Sequence, residues 1–207
     1  MHGLVNRAIQ RFVTDTYGAA LWRRVAHEAQ LGFVDFESML IYDDVLTPRV
    51  LDAVEAELGK PRAEILEDIG TYLVSHPNAE AVRRLLRFGG EDFVDFLHSL
   101  DDLPDRARLA VSDLDLPQLE LREHAADRFS LTVCARKDGF GPVMIGMLRS
   151  LADDYGALVL LERRAGGERA AGCVNSEGLD VIDITLIEAG YAEGRSFDLG
   201  ANVGLGA

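Results

Sequence analysis

Residues 91–117, EDFVDFLHSLDDLPDRARLAVSDLDLP, decide how the rest of the chain is read. At helical spacing Phe93, Leu97, Leu100 and Pro104 return to one side, because steps of three, four and seven residues do so on an α-helix. The inward stripe therefore carries a proline. Proline has no backbone N–H to donate and is tolerated only in a helix's first turn. The stretch thus predicts a helix that breaks before Pro104 and a new start there, with Asp101 and Asp102 at the break.

Upstream, helix follows helix. Leu4, Val5, Ala8, Ile9, Phe12 and Val13 form a stripe that ends near Tyr17-Gly18, and residues 20–29 make a second helix with Leu21, Trp22 and Val25 inward. Thr47-Pro48 leads into a helix over 50–58 that Gly59 stops. Pro61 opens another over 62–74, His76-Pro77 ends it, and Asn78 caps a helix over 79–88. After Pro117 the period changes to two. Leu119 and Leu121, then Phe129, Leu131 and Val133, flank a four-residue loop at 124–127 and predict a hairpin. Residues 142–155 read as a helix ended by Gly156, and strands follow at 158–162, 171–174 and 181–187. Helices first, then a meander with one helix packed in it, is an α+β fold: an amino-terminal helical part, then an antiparallel sheet with one packed helix. The expected boundaries are one domain over 1–187, helical to 117, and a loosely held Gly-rich tail over 188–207.

At 207 residues the chain can bury a full core. Its net charge of −14 argues against nucleic acid and against an anionic membrane surface as partner. No run approaches the ~20 apolar residues of a membrane span, and the arginine-bearing first helix is no signal peptide, so a cytoplasmic setting is expected. Cys134 and Cys173 lie in apolar runs without CxxC spacing, which favours buried reduced thiols over a disulfide or a metal site. The five histidines stand apart from one another, none at metal spacing. The acidic pairs Asp43-Asp44, Asp101-Asp102 and Asp153-Asp154 read as caps and solvated faces. Gly139-Phe-Gly-Pro reads as a strand-to-helix turn whose free amides offer, alternatively, an anion site. No acid, base and nucleophile converge, so no enzyme is expected and no catalytic residue is named.

Several blocks taken together resemble the haem nitric-oxide/oxygen-binding family (H-NOX, or HNOB): MHGLVNRAIQRFVTDTYG at 1–18, AELGKPRAEILEDIGTYLV at 56–74, FLHSLDDL at 96–103 and PVMIGML at 142–148. Their separations match as well, over residues 1–187. The resemblance implies haem b, a histidine on the central helix that ligates its iron, and a proline that presses on the porphyrin. It also implies a Tyr-x-Ser-x-Arg motif that grips the propionates. Residue by residue, the pressing proline is Pro117, but the ligating histidine falls on Pro104 and the motif on Val133, Ala135 and Lys137. The axial ligand and two hydroxyl donors are absent, and a bidentate guanidinium becomes a point charge. These departures argue against a histidine-ligated haem and leave no metal ligand to name. The ligand-pocket positions carry over onto Val5, Ile9, Leu73, Pro77, Leu97, Leu100, Pro104, Pro117, Val143 and Met147, with no Tyr or Trp donor for oxygen. The implied function is a sensor domain that reports a small apolar or gaseous ligand to a separate signalling partner, a histidine kinase or a cyclic-nucleotide enzyme. The alternative is a haem-free interaction scaffold of the same fold.

Overall fold

The computed structural model describes residues 1–165 and 178–194. The architecture is α+β. Helices α1 (Gly3–Tyr17), α2 (Ala19–Glu28), α3 (Leu46–Leu58), α4 (Arg62–Ser75), α5 (Glu80–Arg87), α6 (Phe93–His98) and α7 (Leu103–Ala110) precede strands β1 (Gln118–Ala125) and β2 (Arg128–Ala135). Helix α8 (Phe140–Tyr155), β3 (Leu158–Ala165) and β4 (Gly178–Glu188) complete the described chain.

The break in the central helix is real and local chemistry sets both ends. Asp92 caps α6 by accepting the Asp95 N–H, and α6 stops after His98. Pro104 occupies the first turn of α7, where its missing donor costs nothing. Between them Asp101 accepts the Leu121 N–H at 2.8 Å, which pins the break onto β1. Other ends follow their residues too: Gly59, at φ +62°, closes α3 in the left-handed conformation that glycine adopts freely.

The antiparallel sheet runs β1-β2-β4-β3. Leu131 pairs with Leu121 on one side and Ile182 on the other, and Phe129 pairs with Ile184, so one face is a continuous apolar surface. That face packs on Leu148 and Leu151 of α8 and on Phe93, Phe96, Leu97 and Leu100, forming one core. A second core joins α1 to α4 around Phe12, Trp22, Val50 and Ile65. The two halves meet where α4 crosses α8. A methyl at Gly70 would strike the Val143 carbonyl, and one at Gly146 the Glu67 carbonyl, so these helices lie backbone to backbone.

Four expectations need correction. The β1–β2 loop has two residues, 126 and 127, because the strands run on to Ala125 and from Arg128, and Asp127 accepts the Leu186 N–H. Asn78 is no cap; the turn's N–H is accepted by His76 Nδ1, and the Asn78 amide donates instead to Asp15. Asp154 is not solvated but 2% exposed, paired with Arg83 at 2.6 Å. Cys134 is disulfide-bonded rather than a free thiol, so cysteine usage lends no support to a reducing compartment. The expected strand at 171–174 and residues 195–207 of the tail lie outside the described residues. Among the described residues no helix is long and apolar enough to cross a membrane.

Candidate ligand cavity between the two cores

A cavity of about 400 Å³ lies between the two cores, in the size range of small-molecule sites. Helix α1 lines it with Leu4, Val5, Ala8 and Ile9, and α4 with Leu66, Ile69, Tyr72 and Leu73. Val82, Leu85 and Leu86 of α5, Pro104 and Ala107 of α7, Pro117, and Val143, Met144 and Met147 of α8 close the wall. Arg7, Arg11, Ser38, Lys137 and Asp138 border it.

Of the positions expected from sequence, Val5, Ile9, Leu73, Pro104, Pro117, Val143, Met147 and Lys137 are brought together. Pro77 is not; it is exposed in the short 3-10 turn between α4 and α5. Leu97 and Leu100 are fully buried in the sheet-side core, because the break before α7 lets that stripe turn toward the strands. Val133 and Ala135 are buried in β2 and do not line the cavity. Tyr72, Leu66, Ile69 and the α5 residues were missed. Their spacing carried the signal, since Leu66, Ile69 and Leu73 fall on one helical stripe.

Tyr72 corrects the expectation of a wall without a tyrosine, yet its hydroxyl is already committed. It donates to Asp15 at 2.5 Å, and the Asn78 amide adds a second bond at 2.9 Å. The Tyr72 hydrogen bond foremost holds the Asp15 carboxyl below its usual range, while burial pushes the Tyr72 phenol up. His76 stacks on the Tyr72 ring at 4.7 Å. At the opposite end Lys137 Nζ lies 2.5 Å from Asp44, which also meets the Met1 ammonium. Lys137 first, then that ammonium, holds the Asp44 carboxyl down to about 2.

The donor set does not fit a histidine-ligated haem. Among the described residues no histidine lines the cavity, and Pro104 supplies no lone pair to iron. His98, six residues before Pro104, is half exposed and faces Glu123 at 3.4 Å. Where the resemblance implies an iron-ligating imidazole the wall has Pro104, and of the three motif positions only Lys137 reaches the cavity. Among the described residues no cluster of three or more His, Cys, Asp or Glu could hold a metal ion.

Comparison with known proteins bears on the fold and the family. Soluble guanylate cyclase 89Da of Drosophila melanogaster is 23% identical over 155 residues, 75% of this chain and 23% of the relative. Soluble guanylate cyclase gcy-35 of Caenorhabditis elegans is 27% identical over 156 residues, 73% of this chain and 22% of the relative. The chain thus spans about a quarter of the length of these curated relatives. A point mutant of the T. tengcongensis H-NOX superposes with a TM-score of 0.74 at 16% identity, covering 91% of this chain and 99% of that one. An oxygen-binding H-NOX domain related to soluble guanylate cyclases gives 0.64 at 15%, covering 95% and 100%. The family model described as Haem-NO-binding matches residues 2–162, and the chain belongs to that family, HNOB.

Proposed function

We propose that this chain is a regulatory sensor domain that takes a small, mainly apolar ligand into the cavity without a histidine-ligated haem, and reports it to a separate signalling protein. The observation that carries this is an apolar cavity of about 400 Å³ retained behind Pro104, at the position where the family places its iron ligand. Kinship with soluble guanylate cyclases supports a cyclic-nucleotide enzyme as the partner class, with a histidine kinase as the other candidate. The absorption spectrum of protein expressed with ample haem tests the reading. No stoichiometric Soret band is expected. One haem per chain surviving gel filtration, with a histidine-ligated spectrum, would overturn it, and His98→Ala and His76→Ala would then identify the ligand.

A specific observation favours a second reading, the haem-free scaffold. Val34, Met39, Leu40, Ile41 and Val45, between α2 and α3, are all half exposed or more. Such a patch is a docking candidate. Met39→Asp and Ile41→Asp separate the readings. Loss of partner binding while cavity variants leave it untouched supports the scaffold.

A further inference from the structure

We infer that the cavity's ligand is an amphipathic monocarboxylate, with its apolar chain between α1, α4 and α8 and its single carboxylate at Lys137. This names the ligand class of the sensing site and rests on that reading. The wall is aliphatic and aromatic, so the body of the ligand is a hydrocarbon. The border is cationic in a chain that is otherwise acidic. The whole protein carries 21 Lys and Arg against 35 Asp and Glu, whereas the cavity is bordered by Arg7, Arg11 and Lys137 against Asp138.

Lys137 is the head-group residue for three reasons. Arg7 is already spread over Asp35, Gln10 and the Phe36 carbonyl, and Arg11 is exposed on α1 with its charge acting on Asp15 and Tyr72. The Lys137 ammonium has three donors and gives one to Asp44, whose side chain is 62% exposed and holds it only as a surface pair. The amino-terminal end of α8, a further electropositive feature nearby, is taken. The carboxylate of Asp180 packs so closely on Gly141 that any side chain there would strike it, and Asp180 is itself paired with Arg163 at 2.9 Å. The charge count at the head follows. Asp44 and Asp138 stand at the same edge as Lys137, so a second negative charge would be repelled, and a lysine suits one carboxylate better than a bidentate anion.

The test is calorimetry on the full chain with a series of saturated straight-chain carboxylates, each below its micelle concentration, and with the methyl esters of the same acids. Affinity should rise about fourfold per added methylene and then level off when the cavity is full. The ester should bind about fivefold more weakly than its acid, the scale of a partly exposed ion pair. Lys137→Gln should abolish that difference and keep the chain-length slope. Esters that match their acids in the wild type, or an acid preference that survives Lys137→Gln, would overturn the head-group assignment and leave the sensing cavity standing. If no member binds and organic extraction of native protein releases no apolar compound, the sensing reading itself falls.

Discussion

Pro104 is the residue on which the cofactor question turns, and its cost to the fold is small. In a helix interior proline costs ~3 kcal/mol, but in the first turn of α7 its ring is compatible with the helix. Pro104→His should therefore shift stability by less than about 1 kcal/mol, and added haem should give a weak histidine-ligated Soret band absent from the wild type. Loss of folding would show that the proline sets the break itself. Asp44 gives a second prediction at this scale. Its folded pKa, about 2, lies below the ordinary 3.8, so the stability it contributes is present above that ordinary value. It is lost as pH falls from about 3.8 through about 2. Comparing wild type with Asp44→Asn by denaturant midpoint across that window should show the two curves converging at its acid end. Parallel curves would place the carboxylate's stabilisation elsewhere. Lys137 was legible in the sequence because a short motif fixes its position just past the end of a strand. Tyr72 was not, because the group that occupies its hydroxyl, Asp15, is 57 residues away.

Among the elements, the α4–α8 crossing holds the two cores together. Gly146→Ala would push a methyl into the Glu67 carbonyl and should cost about 1–3 kcal/mol, measured by denaturant midpoint. Gly190→Ala, which meets nothing within 4 Å, is the control. A neutral Gly146→Ala would mean that the helices can separate freely. The Arg83–Asp154 pair ties α5 to the far end of α8. Removing one partner of a buried pair costs ~3–5 kcal/mol, and Arg83 is 22% exposed, so Arg83→Ala should cost about 2–3. A loss below about 0.5 kcal/mol would show a solvated pair. Element boundaries were mostly legible because Gly59, Gly156, Pro61 and the break before α7 each act within a turn of chain. Leu97 and Leu100, expected in the wall, lie in the sheet-side core for a related reason: the sequence shows the break before Pro104 but not the direction each half takes from it.

At the scale of the whole molecule, Val5→Phe and Val143→Phe test the space between the cores as a ligand site against a packing fault. Filling a real void restores contacts at roughly 24 cal/mol per Å³, whereas overfilling a tight core costs ~1–3 kcal/mol. At least one variant should raise the denaturant midpoint; losses in both would favour the scaffold. The α+β class was readable from the change in hydrophobic period at Pro117, since each half repeats its own spacing many times. The cavity was expected from the family resemblance and not from the period, because a void is the difference between two packed surfaces and leaves no period of its own.

The start of α1 has one more consequence. Gly3 donates to the Leu40 carbonyl at 2.7 Å, Tyr42 donates to the Met1 carbonyl at 2.9 Å, and His2 pairs with Ile41. The helix that walls the cavity is therefore tied by its backbone to the exposed apolar loop. If a ligand that contacts Leu4 or Val5 shifts this tie, it changes the surface a docking protein would meet. Thermodynamic reciprocity then requires that a ligand which weakens docking tenfold be itself bound tenfold more weakly once the partner is in place.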